Sequence, residues 1–160
     1  VPASTATATD VAAALAARLG PADRVGVDGR DAAGKTTFTD ALAAAARHPV
    51  TRVRLDDFHR PAAQRIDYYA DAFDLPAFVE AVREAAGCVV ADGVFLFRPE
   101  LDALWTVRVR LEVDPAEQLR RAAARGDAVE RYATRYRPAH DAYEAAVRPA
   151  ARADVVAELR

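Results

Sequence analysis

With 160 residues and a net charge of −2, the chain is long enough for one domain that buries roughly two-thirds of its unfolded surface. It carries no long-range positive field that would draw nucleic acid or an anionic membrane, so neither partner is expected. The single cysteine, Cys88, excludes an internal disulfide and a cysteine-built metal site and suits a reducing compartment, which makes a cytoplasmic location the expectation.

The Ala/Thr-rich start, 1–9, is expected to fray. Asp10 is placed to cap a first helix that runs to about Arg18 and stops at Gly20-Pro21. The alanine-rich segment 11–19 carries Arg18 and follows no basic segment, so it is not expected to act as a signal peptide, and no run reaches the length of a membrane span. A Val-rich strand over 24–28 then enters a Gly-rich loop, and Phe38, Leu42 and Ala45 recur at helical spacing after it. His48-Pro49 breaks that helix. Residues 50–55 read as a second strand ending at Asp56-Asp57, and 56–71 as a functional loop.

A helix from about Asp74 to Ala86 is closed by Gly87. Cys88-Val-Val-Ala is a short fully apolar run, the pattern of a buried parallel strand, and it ends at Asp92-Gly93. Val107, Val109, Leu111 and Val113 alternate with Arg108, Arg110 and Glu112, which predicts a half-exposed strand. Asp114-Pro-Ala-Glu117 starts a helix that runs to about Arg125. After Gly126-Asp127 a helix over 129–147, interrupted at Pro138, leads to a last strand near 154–157. The alternation of strands and helices predicts a single α/β domain over 1–160, a three-layer fold with a parallel sheet covered by helices on both faces.

Gly29-Arg30-Asp31-Ala32-Ala33-Gly34-Lys35-Thr36 matches the phosphate-binding pattern G-x-x-x-x-G-K-[ST], and Thr37 follows it. In that pattern backbone N–H groups and a helix N-terminus surround phosphate oxygens. Lys35 is the only lysine in a chain otherwise supplied with arginine, and a compact ammonium suits a phosphate cradle that a guanidinium would overfill. Lys35 would reach the β- and γ-phosphates of ATP, and Thr36 would bind Mg²⁺. The carboxyl ends of parallel strands are where ligands bind in open α/β sheets. One of Asp56 and Asp57, at such an end, can accept a proton from a substrate hydroxyl, or the two can simply cap the following loop. Asp92 can organise Mg²⁺ or serve as a turn residue before Gly93. Arg121 and Arg125, four apart on one helix face, can clamp phosphates or form a solvated face. His48 and His140 have no partner that suggests a metal or a triad, and Tyr68, Tyr69 and Phe73 read as core.

Several blocks together resemble the uridine kinase family. They are Val25-Gly-Val-Asp-Gly-Arg-Asp-Ala-Ala-Gly-Lys-Thr-Thr, Leu55-Asp-Asp-Phe-His-Arg-Pro, Tyr68-Tyr-Ala-Asp-Ala-Phe-Asp74, Val90-Ala-Asp-Gly-Val-Phe-Leu and the Arg120-Arg121 helix. The resemblance spans about residues 24 to 156 and implies a P-loop nucleoside-kinase-like fold and transfer of the γ-phosphoryl of ATP-Mg to a small-molecule hydroxyl, a nucleoside first. It implies Asp56 as catalytic base with Lys35, Asp92 and Thr36 at the metal, Arg121 and Arg125 in a lid region, and His59, Arg60 and Tyr69 around the sugar. Three departures stand out. Only seventeen residues separate Asp74 from Asp92, which leaves no room for the base-contacting hairpin of related kinases, and the lid shrinks to about 126–128. Tyr68 also stands where some relatives carry a ribose-binding aspartate. The alternatives are therefore a kinase of another small alcohol, pantothenate- or sugar-like, or a nucleotide-binding remnant.

Overall fold

The computed structural model describes residues 7–159. The apolar run at its centre forms β3 (Cys88–Gly93), and all six of its residues are buried. A strand this apolar needs cover on both faces and neighbours on both edges. It has them: β3 lies between β2 (Val50–Arg54) and β1 (Arg24–Gly29), and β4 (Val107–Val113) and β5 (Val155–Leu159) continue on the other side of β1. The order is β2-β3-β1-β4-β5 and every pairing is parallel.

Side chains that alternate along the strands feed two separate cores. On one face Val25, Val27, Val90 and Val109 pack with Leu15 of α1 (Ala8–Ala16) and with Phe38 and Leu42 of α2 (Lys35–Ala45). On the other, Val89 and Ala91 meet Phe78 and Val82 of α3 (Leu75–Glu84), together with Leu96, Trp105 and Tyr143. Gly26 of β1 faces this second core. A Cβ there would lie 2.6 Å from the Trp105 ring, so only glycine admits the indole, whose Nε1 donates to the Leu96 carbonyl at 2.7 Å.

The expected three-layer α/β architecture is present, with local corrections. Thr7 rather than Asp10 is the cap of α1: its hydroxyl accepts from the Asp10 N–H, and Asp10 returns the bond to the Thr7 N–H as the third residue of a capping box. Thr7 to Thr9 are thus built into the helix start, while 1–6 lie outside the described residues. The second strand stops at Arg54 because Leu55–Phe58 coil into a 3₁₀ turn, and the last strand is Val155–Leu159. Asp74 and Asp114 cap α3 and α4 (Pro115–Ala124) as expected.

Residues 129–147 are helical in three pieces, α5 (Val129–Arg131), a π-turn Tyr132–Tyr136, and α6 (Arg137–Val147). Pro138 has no N–H for the carbonyl four residues back, so the ladder widens just before it. A short α7 (Pro149–Arg152) leads into β5. The alternation along β4 does not mark a wet face. Arg110 is buried and pairs with Asp28 at 2.7 Å, because β4 is an interior strand covered on both sides. No helix among the described residues is long and apolar enough to cross a membrane.

Candidate active site

The phosphate loop leaves the carboxyl end of β1, where the chain reverses direction across the sheet: β2 and β3 lie to one side, β4 and β5 to the other. A Cβ on Gly29 would come within 3.1 Å of the Leu111 carbonyl oxygen, so a larger residue there would press on the β4 backbone. Gly34 takes φ +89° and precedes α2 without any side-chain cap, which leaves the first N–H groups of α2 open to the loop's concavity. Ala32 also has a positive φ of 60°, and such a run of local turns curls backbone amides into an anion-binding concavity.

Lys35 folds back over this loop. Its Nζ donates to the carbonyls of Gly29 at 2.9 Å and Arg30 at 2.7 Å. Burial pulls its pKa below the ordinary lysine value against the opposing pull of Asp31, Asp28, Asp56 and Asp92.

An open cleft of about 740 Å³ spreads from the loop. It is lined by Asp31, Ala32, Ala33, Gly34, Lys35, Thr36 and Thr37, by Asp56 and Asp92 on the β2–β3 side, and by Arg121 and Arg125 on the β4–β5 side. Asp56 projects into it exposed, with the Arg54 guanidinium 4.0 Å away, whereas Asp57 does not line it. Asp92 is only 5% exposed and faces Arg52 at 3.4 Å; burial pushes its carboxyl above the ordinary aspartate value, partly offset by Arg52 and Lys35. Arg121 is steadied by Glu117 at 2.6 Å, and its guanidinium lies 3.5 Å from the point a Cβ on Gly34 would occupy, directly over the loop. Arg125 bonds Asp127 at 3.1 Å. Arg120 turns away to Glu117 and is not part of the cleft.

Other expected residues lie elsewhere. The Arg30 side chain points away from the phosphate side to α6, gripping Glu144 with bonds of 2.7 and 2.6 Å and Asp141 at 2.7 Å. His59 packs its ring 4.6 Å from Phe73 and uses Nδ1 on the Asp56 carbonyl, and neither it nor Arg60 lines the cleft. Tyr69 opens instead onto a second groove of about 640 Å³, with Arg98 over its ring at 4.0 Å.

Three residues in or behind the cleft escape a sequence reading. Arg54 had one available signal, its position two residues before Asp56. Arg110 was hidden by an alternating pattern that usually means a wet face. His140 is fully buried and meets Asp31 across 109 positions of sequence, which no local pattern reveals. Asp31 is held from three elements: by His140 at 2.8 Å, by the Tyr68 hydroxyl at 3.0 Å, and through its carbonyl by Gln118 of α4 at 2.7 Å.

The residues present fit a nucleoside triphosphate with magnesium. The glycine-lined concavity and Lys35 suit phosphates, and Thr36 and Asp92 offer two oxygen ligands at its edge. No cluster of three or more His, Cys, Asp or Glu able to hold a metal occurs among the described residues. Mg²⁺ keeps several waters and takes further ligands from substrate phosphates, so the two oxygens of Thr36 and Asp92 are compatible with it.

A solved structure described as a possible uridine kinase from Bacillus stearothermophilus superposes with a TM-score of 0.73 at 21% identity, covering 94% of this chain and 97% of that one. This is a uridine-kinase-like P-loop fold. The crystal structure of TT1252 from Thermus thermophilus is a more distant likeness, with a TM-score of 0.53 at 18% identity over 85% of this chain and 87% of that one. At such identities the likeness carries the fold alone. No protein-family model and no curated protein matches the sequence.

Proposed function

We propose that the protein is an ATP-dependent phosphotransferase that moves the γ-phosphoryl group to a hydroxyl of a small molecule. The observation that carries this reading is the convergence of Lys35, Asp56, Asp92 and Arg121 on one cleft at the phosphate loop. Bound ATP-Mg supplies the electrophilic phosphorus and most of the charge neutralisation at the transferred group. Lys35 and the α2 amides hold the phosphates, and Arg121 approaches from above. Asp56 orients the acceptor hydroxyl and takes its proton as the new P–O bond forms and the bond to the β-phosphate oxygen breaks. Asp92 and Thr36 fix the metal side. Positioning and electrostatics provide the rate enhancement, since little covalent chemistry falls to the protein.

The likeness to a possible uridine kinase makes nucleosides the first acceptors to test. The composition of the cleft favours the second class, another small alcohol. None of the described residues that line it is aromatic, and His59, Arg60 and Tyr69 stand outside. A nucleobase gains much of its affinity from stacking, and here it would meet aliphatic groups such as Val94 and Leu159 but no aromatic face among the described lining residues. The test is transfer of labelled γ-phosphate from ATP-Mg to the four ribonucleosides, pantothenate and simple sugars. Transfer to one of them, lost in Asp56→Asn, is the expected result. ATP binding without transfer to any acceptor would favour a nucleotide-binding remnant, and absence of ATP binding would overturn the reading altogether.

A further inference from the structure

We infer that the phosphoryl acceptor carries its own anionic group, a carboxylate or a phosphate ester close to the reacting hydroxyl, and that Arg54 recognises it. This rests on the phosphotransferase reading and narrows it to a substrate class.

The sheet order divides the cleft. Arg121 and Arg125 lie on the β4–β5 side, so a nucleotide seated on the loop extends beneath them, and the β2–β3 side is left for the acceptor. That half is walled by Arg54, Asp56, Asp92 and Val94. One apolar side chain, two carboxylates and a guanidinium offer little to a neutral ring, and they leave Arg54 as the one group of that wall able to hold an anion.

The arginines of the cleft differ in what already occupies them. Arg121 is hydrogen-bonded to Glu117 and Arg125 to Asp127. Arg54 makes no side-chain hydrogen bond among the described residues, and its one ionic neighbour is Asp56 at 4.0 Å, beyond hydrogen-bond reach. Its neighbour on the same strand, Arg52, is in contrast engaged through both terminal nitrogens, by Asp40, Thr39 and Asp92. A half-exposed guanidinium with its donor fork free, next to the one carboxylate suited to activate a hydroxyl, matches a planar anion bidentately. When Asp56 engages the hydroxyl, Arg54 is left to hold the anion a few ångströms away, and the two contacts together fix the acceptor's direction of attack. Asp92 also feels the Arg54 charge, but its ion pair is with Arg52 at 3.4 Å.

The test uses protein saturated with Mg²⁺ and a non-hydrolysable ATP analogue, so that the γ-phosphate position is filled. Acetate, inorganic phosphate and neutral acetamide are then titrated while NMR follows the Arg54 Nε–H and the amides of residues 54–58. Acetate or phosphate should bind in the millimolar range with acetamide silent, and the better of the two anions identifies the acceptor's group. Arg54→Gln should weaken that binding roughly ten-fold or more, with affinity for the analogue held within about two-fold, and Arg54→Lys should keep part of it. Equal response to acetamide and the anions, or anion binding that survives Arg54→Gln, overturns the inference. So does a loss of affinity for the ATP analogue but not for ADP in Arg54→Gln, which would put Arg54 on the transferred phosphoryl group. Failure of the wild type to bind the analogue would instead sink the phosphotransferase reading, and this inference with it.

Discussion

Nε2 of His140 lies 2.8 Å from the Asp31 carboxylate and thereby ties α6 to the phosphate loop. The same carboxylate accepts from Tyr68, which belongs to the segment after Asp56. The phosphate loop, the segment after Asp56 and α6 therefore meet at one side chain. Burial alone would raise the pKa of Asp31; the hydrogen bond from His140 and the nearby Lys35 charge outweigh it and hold the carboxyl below its ordinary 3.8. Glu144 is likewise kept below its ordinary 4.5, by Arg30 and Arg110 against the effect of burial.

Those two shifts set the sign of the acid response. A carboxylate with a depressed folded pKa contributes stability that is fully present above its unfolded value and lost as pH falls through the folded one. The urea midpoint should therefore hold level down to about pH 5 and fall below pH 4. Asp31→Asn should flatten part of that fall. His140→Ala, which empties a buried site and leaves Asp31 short of a partner, should cost about 2–4 kcal/mol at neutral pH. Urea titrations of wild type and both variants between pH 3 and pH 7 provide the check.

Lys35→Ala should weaken Mg·ATP binding by roughly two orders of magnitude or more. Lys35→Arg should also impair it, because the ammonium now sits within 2.9 Å of two loop carbonyls and a planar fork does not fit that space. Calorimetry on the three proteins decides the matter, and equal affinities would remove the phosphate-loop assignment.

Asp56→Asn should leave ATP affinity within a few-fold and lower phosphoryl transfer by roughly 10²-fold. Asp57→Asn should change neither, since Asp57 does not line the cleft. Single-turnover rates on any acceptor found would distinguish the two carboxylates, and the reverse pattern would move the base to Asp57.

Asp92 carries the opposite linkage from Asp31. Its folded pKa is raised by burial, so the ionised form costs stability at neutral pH, and the cost disappears as the solution is acidified below its ordinary 3.8. Asp92→Asn should raise the melting temperature at pH 7 by roughly 2 °C or more while reducing phosphoryl transfer. Arg52 keeps Asp40 and Thr39 as partners, so the substitution strands no charge. Melting curves at pH 7 and pH 3 should show the gain only at the higher pH.

The phosphate loop and its setting were legible because they are local: a valine-rich strand, glycines where the backbone closes up, and apolar residues at helical spacing in sequence order. The ends of β2 and β3 were legible for the same reason, and Asp56 and Asp92 do reach the cleft. What escaped depends on long-range burial. Arg110 reads as solvated until β4 is known to be interior and Asp28 is found opposite it. His59 and Tyr69 read as acceptor contacts until the chain after Leu55 coils into a 3₁₀ turn and His59 turns its ring onto Phe73. Arg30 belongs to the phosphate motif by position, yet its side chain serves the far side of the loop. A consensus position fixes a backbone role and leaves open where the side chain goes.

Trp105 is the chain's only tryptophan, buried against Gly26 and hydrogen-bonded to the Leu96 carbonyl. The protein thus contains a single tryptophan fluorophore, which can be excited to the red of its tyrosines, seated in the core between β1 and α3 and away from the nucleotide cleft. Its emission should be blue-shifted in the native state and move to the red as the indole meets water. Because the indole does not line the cleft, ligand titrations should leave that signal nearly unchanged, so the same sample can report unfolding by intrinsic fluorescence while binding is followed by another probe.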